Sequence, residues 1–145
     1  MLSGIHPMLT ADLLAALDRL GHGDELVVAD ANFPAHRFGI EVVELAGITS
    51  PAAVVAIRTV MPVDRYEGPA VLLMTSEGDE LPVQRELLDA AAAPAERTSS
   101  LERFAFYDRA AAARLAIRTG EVRPYGNLIL RKGVVTAPAS WTPAD

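Results

Sequence analysis

The 145-residue chain contains no cysteine, which excludes a disulfide framework, a thiolate nucleophile and a zinc-cysteine centre and is compatible with a reducing compartment. No stretch approaches the roughly 18 consecutive apolar residues of a membrane span. The start, Met1-Leu2-Ser3-Gly4-Ile5-His6-Pro7, lacks the basic residues and unbroken apolar run of a signal peptide. A soluble, cytoplasmic protein without a membrane partner is therefore expected. Basic side chains are outnumbered 13 to 19, leaving a net charge of −6, the wrong sign for neutralising nucleic-acid phosphates. Neither a Gly-x-x-x-x-Gly-Lys loop nor a Gly-x-Gly-x-x-Gly fingerprint occurs, and Gly21-His22-Gly23 precedes an apolar run instead of following one. A nucleotide cofactor thus has no support.

What is present is a core. Half of the residues are apolar, so the balance that keeps chains disordered is absent and the length predicts one domain. Leucines 13, 14, 17 and 20 recur at helical spacing, predicting a helix over 10–20 with Thr10 as N-cap and Gly21 as its stop. The apolar run 25–29, closed by Asp30, reads as a buried strand. A loop over 31–39, a strand over 40–45 and a helix over 50–60 follow, the helix with Ser50 as N-cap and Pro51 at its first position. Further along, the pattern predicts a strand over 70–74, a helix over 79–93 opening near Pro82, and a strand over 97–101. Alanines 110–113 and Gly120 predict a long buried helix over 103–119, and 128–130 a last strand. This alternation implies an α/β fold, a single three-layer domain over 1–136 with a mostly parallel central sheet flanked by helices. Residues 137–145, with Pro138 and Pro143, read as a Pro-rich tail that is ordered only if Trp141 docks.

Three clusters carry chemistry-bearing residues. His22, flanked by glycines at the expected end of the first helix, meets a negative helix pole that favours imidazolium, a setting for a general acid. Asp30 ends an apolar strand, where ligands of α/β sheets bind and a carboxylate can grip hydroxyls; the plainer reading is an Asx turn. His36 follows six residues later, a spacing that fits no standard metal-ligand pattern, so no metal is expected. In Arg103-Phe104-Ala105-Phe106-Tyr107, an arginine opens a helix whose dipole prefers anions there; either it serves a site or it pairs with Glu102 or Asp108. Phe104, Phe106 and Tyr107 read as core. In Pro124-Tyr125-Gly126-Asn127, a phenol and an amide flank a glycine just before the last strand.

Together, Gly21-His22-Gly23-Asp24-Glu25, Asp30-Ala31-Asn32-Phe33-Pro34-Ala35-His36, Arg103-Phe104-Ala105-Phe106-Tyr107 and the segment from Tyr125 to Gly133 resemble, in order and spacing, the motifs of the ribose pyranase and fucose mutarotase family. The resemblance runs from about Met1 to Val134. Arg103 is similar to the fucose mutarotase branch, where the ribose branch carries histidine. What the resemblance implies is a cofactor-free isomerase that interconverts the α and β anomers of a free monosaccharide, with L-fucose leading. It further implies a ring-shaped homo-oligomer, a pentamer or decamer, with sites between subunits. It assigns the acid/base role to His22 and sugar binding to Asp30, Arg103, Tyr125, Gly126 and Asn127, with the segment from Tyr125 to Asn127 reaching a neighbour's site. Whether Tyr125 or a water takes the second proton stays open. Two other readings remain: a non-catalytic sugar-binding accessory protein of a transport or sensing system, and a D-ribose pyranase.

Overall fold

The computed structural model describes residues 2–136; the expectations for the tail and for Trp141 lie outside the described residues. Helix α1 spans Ala11–Asp18 and opens as the sequence predicts, with the Thr10 hydroxyl accepting from the Leu13 N–H at 3.2 Å. It closes earlier than expected, at Asp18. Gly21 instead sits in the following turn, donating its N–H to Asp24 Oδ2 at 2.8 Å, and Gly23 takes the left-handed conformation at φ 84°. Strand β1 then runs over Glu25–Ala29 and, after a short 3₁₀ turn at Ala35–Phe38, β2 over Glu41–Leu45.

Helix α2, Ser50–Arg58, carries Pro51 in its first turn, but its cap is Thr49, whose hydroxyl faces the Ala52 N–H; Ser50 is the first helical residue and is buried. Strand β3 spans Val71–Met74 and α3 Pro82–Ala91. Buried Gln84 ties the two together: it accepts from the Leu81 N–H at 2.7 Å and donates to the Met74 carbonyl at 2.7 Å. Strand β4, Thr98–Leu101, leads into helix α4, Arg103–Ala111.

The helix expected over 103–119 is cut short. After α4 the chain turns and forms strand β5, Leu115–Thr119. The alanine run sustains helix only to Ala111. The residues of β5 apart from Arg118 are buried, and a strand covered on both faces shows no period-2 alternation to announce it. Strand β6, Leu128–Arg131, is last.

The six strands form one sheet in the order β2-β5-β1-β6-β3-β4. Strand β6 runs antiparallel to its neighbours β1 and β3, with Val28 opposite Leu128, and the remaining pairings are parallel. The sheet is therefore mostly parallel, as expected. Leu26 and Val28 point into one core with Leu13 of α1, Ile57 of α2 and Leu87 of α3. Val27 and Ala29 point into the other with Phe33, and with Phe106 and Ala110 of α4. Helices thus cover both faces, and each fully buried leucine or phenylalanine contributes about 1.5–3 kcal/mol. Among the described residues no helix is long and apolar enough to cross a membrane.

Candidate functional site

Because β6 is antiparallel, its first residues lie at the sheet edge where β1 and β3 end. Asp30, one residue past β1, meets Asn127, one residue before β6, in a reciprocal pair. Asn127 Nδ2 donates to Asp30 Oδ2 at 2.7 Å, and its Oδ1 accepts from the Asp30 N–H at 2.8 Å. The Asn32 N–H donates to Asp30 Oδ1 at 2.9 Å. So the Asx turn that competed with a functional role at Asp30 is formed, and it leaves lone pairs on both carboxylate oxygens. Asp30 is buried, 5% exposed. Burial pushes its carboxyl above the usual range, outweighing the hydrogen bonds from Asn127, Asn32 and Phe33, while nearby Glu121 adds to the rise.

These groups line a cavity of about 260 Å³, just below the roughly 300–1,000 Å³ of drug-sized sites and suited to a small polar ligand. Its opposite wall is the first turn of α4. Here the helix is capped by the Glu102 carboxylate, which accepts from the Phe104 and Ala105 N–H groups at 3.0 and 2.6 Å. That frees Arg103, which pairs with neither Glu102 nor Asp108; its Nε donates to the Tyr107 hydroxyl at 3.2 Å and its head lies 5.4 Å from that ring's centre. The exposed guanidinium keeps its Nη donors for a ligand. Tyr107 is not simply core: its ring packs edge-on against buried Phe33, centroids 5.5 Å apart, and its hydroxyl borders the cavity.

Tyr125 completes the cleft in a left-handed conformation, φ 63°, uncommon for a residue with a side chain. A brace rooted in a buried carboxylate and open to solvent at its outer end supports the loop that carries it. Glu121, 2% exposed, accepts from Arg123 Nε and Nη2 at 2.9 Å, and Arg123 also grips Glu86 at 2.9 Å. The Arg123 hydrogen bond is the leading cause holding the Glu121 carboxyl below its usual range, with burial acting against it. The Glu121 carbonyl accepts from the Ala31 N–H at 2.8 Å, tying this loop to the one after β1. Gly126 does not line the cavity. A Cβ there would lie 2.8 Å from Glu121 Cγ and 3.0 Å from Ser50 Oγ, so the glycine permits close packing beneath Tyr125.

His22 is elsewhere. It precedes β1, whose five residues separate it from Asp30 by roughly 3.3 Å each, about 17 Å in all. It borders a separate charged groove of about 440 Å³ with Asp64, Arg109 and Arg131. Its partner is a carboxylate and not the helix pole the sequence predicts: His22 Nε2 lies 3.2 Å from Oδ1 of buried Asp64, with the Tyr66 ring edge-on at 5.9 Å. His36 pairs with Glu44 at 2.7 Å.

Of the expected site residues, then, Asp30, Arg103, Tyr125 and Asn127 converge in one chain, Gly126 supports them from below, and His22 stands at the opposite sheet edge. Antiparallel β6 delivers Asn127 to Asp30 of its own chain, so the segment from Tyr125 to Asn127 builds one cleft with Asp30 and stands apart from its own His22. Sequence reasoning missed Asp64, Tyr107 and the Glu121–Arg123 brace.

The model of the RbsD / FucU transport protein family matches residues 3–135. An L-fucose mutarotase of Glaesserella parasuis serovar 5 (strain SH0165) is 43% identical over 140 residues, covering 92% of this chain and 96% of the relative. Among solved structures, the fucose mutarotase of Streptococcus pneumoniae in complex with L-fucose superposes with a TM-score of 0.84 at 33% identity, covering 93% of this chain and all of that one. RbsD of Bacillus subtilis complexed with D-ribose superposes at 0.74 with 25% identity, covering 90% and 98%.

Proposed function

The chain belongs to the RbsD / FucU family, and from that premise we propose that it is an L-fucose mutarotase, a cytoplasmic isomerase that interconverts the anomers of the free sugar. The observation that carries the reading is the cleft itself. A buried carboxylate with open lone pairs, an arginine with free donors and a phenol face one another across a space of monosaccharide scale. Asp30 and Arg103 grip hydroxyls from opposite sides, Asn127 holds Asp30, and Tyr125 borders the anomeric end.

Mutarotation needs a proton delivered to the ring oxygen and one removed from the anomeric hydroxyl. The C1–O5 bond then breaks as the carbonyl forms; rotation about C1–C2 and reclosure give the other anomer, with both protons returned. Positioned acid and base groups supply about 10²–10⁴-fold in rate, enough for a reaction that already proceeds in water. We assign His22 as the group that protonates the ring oxygen. Since His22 and Asp30 occupy opposite edges of the sheet, a head-to-tail contact that closes into a ring brings the His22 edge of one subunit to the Asp30 cleft of the next. A homo-oligomeric ring, single or stacked, is the assembly this chemistry requires.

Exchange NMR on an equilibrium mixture of L-fucose anomers tests the proposal. The protein accelerates interconversion, and His22→Ala returns it to the uncatalysed rate while the cleft still binds sugar. Binding without acceleration in the wild type identifies a sugar-binding accessory protein instead. Faster exchange of D-ribose than of L-fucose identifies a ribose pyranase.

A further inference from the structure

We infer that Met74 is a specificity-determining residue of the cleft: its thioether seats the C6 methyl of a 6-deoxy sugar and selects against the same sugar carrying a hydroxyl on C6. This rests on the reading of the cleft as the L-fucose site.

The sheet order sets a charged corner beside an apolar one. Strand β6 lies between β1 and β3, so at this edge Asp30 follows β1, Asn127 precedes β6 and Met74 ends β3. The register holds them level: Leu73 stands opposite Leu128, and the Met74 N–H donates to the Asn127 carbonyl at 3.2 Å. Asn127 Nδ2 then serves both neighbours, giving one hydrogen to Asp30 Oδ2 at 2.7 Å and turning the other to Met74 Sδ at 3.7 Å. Carboxylate and thioether therefore flank a single amide, a separation that one pyranose ring bridges.

The two corners offer opposite chemistry. Asp30, Arg103, Tyr107 and Tyr125 supply acceptors and donors for hydroxyls. Phe33, Met74 and Pro124, which line the same cavity, carry no polar side-chain atom except the sulfur, a weak acceptor that already faces Asn127. Met74 and Phe33 are both buried, and what they present to the cleft is the top of the core they share with Leu72 and Phe106. A carbon without a hydroxyl loses nothing by burial there, and the unbranched, polarisable thioether adapts to its contour. A hydroxyl brought against the same wall gives up water and finds no strong partner. L-Fucose has one such carbon, C6. L-Galactose differs from it by a hydroxyl on C6, and D-arabinose lacks C6 altogether. An apolar seat rejects an added hydroxyl by about 100-fold and loses roughly 10- to 200-fold for one missing carbon.

Two measurements test the seat. In protein carrying ¹³C-methyl methionine, the Met74 signal, assigned by its loss in Met74→Leu, should show an intermolecular NOE to the C6 methyl of bound L-fucose. By exchange NMR, wild-type kcat/KM for L-fucose should exceed that for L-galactose about 100-fold and that for D-arabinose at least about 10-fold. Met74→Gln has a similar length and brings an amide donor to O6, so the preference for L-fucose over L-galactose should shrink at least about 10-fold. Met74→Leu stays apolar at nearly the same volume and should keep that preference within about threefold. Absence of the NOE overturns the inference without any rate measurement. A Met74→Gln variant with the wild-type preference overturns it as well. If the NOE is present while wild-type exchange of L-fucose stays at the uncatalysed rate, the seat stands and the mutarotase reading fails.

Discussion

Replacing Asn127 with alanine removes both halves of the reciprocal pair with Asp30, bonds of 2.7 and 2.8 Å in a buried setting. The Asp30 N–H then has no acceptor, at about 1–3 kcal/mol, and its carboxylate loses a charged-group hydrogen bond of about 1.5–3 kcal/mol. Water entering from the open side of the cleft offsets part of this, so a net loss of about 3 kcal/mol is expected. At about 2–4 °C per kcal/mol for a domain of this size, Tm should fall by roughly 10 °C. Calorimetry at matched protein concentration measures it, since assembly makes Tm concentration-dependent. Losing the hydrogen bond that opposes desolvation also pushes the Asp30 carboxyl further up, so sugar affinity should fall with stability. In a double-mutant cycle, Asp30→Ala and Asn127→Ala should couple by at least about 1 kcal/mol. A Tm drop under about 2 °C with unchanged exchange would refute the claim that this pair organises the cleft.

Gly126→Ala should destabilise by about 1–3 kcal/mol through overpacking against Glu121 and Ser50, and L-fucose exchange should fall because Tyr125 moves; a variant with normal exchange and Tm would place the packing constraint elsewhere. Glu121 lies below the usual glutamate range when folded, so its stabilisation is complete above about pH 4.3 and is lost as pH falls through the folded value. Glu121→Gln should therefore flatten the acid limb of a stability-versus-pH profile, and an unchanged limb contradicts the brace. Arg103→His replaces a five-donor fork with a smaller ring; L-fucose turnover should drop more than D-ribose turnover, whereas equal losses make Arg103 a support residue.

Much of this was legible in the sequence because local signals agreed with the fold. Leu26 to Ala29 is apolar throughout and Asp30 breaks the run, so β1 and the carboxylate at its end were readable together. The Thr10 cap was readable for the same reason. Strand β5 was hidden because its neighbours cover both faces and an alanine run leads into it with no proline or glycine between. Its absence from the sequence reading displaced the centre of the sheet, since β5 lies between β2 and β1. The pairings that build the two candidate half-sites were hidden for another reason. Asp30 and Asn127 are 97 positions apart, and His22 and Asp64 are 42 apart; antiparallel β6 brings each pair together, and no spacing rule encodes that. Glu121 and Arg123 drew no expectation from the sequence, because nothing local marks a buried carboxylate braced by a half-exposed arginine.

The central claim is that a working site takes its cleft from one chain and His22 from another, and subunit complementation tests it most directly. His22→Ala chains keep an intact cleft and Tyr125→Ala chains an intact histidine edge, so each assembly alone should exchange L-fucose anomers near the uncatalysed rate. Co-refolded in equal amounts and assorted at random, they should rebuild complete sites at about a quarter of their interfaces and recover about that share of wild-type exchange. Mixed rings verified by mass spectrometry that stay as inactive as the separate variants would contradict the shared site.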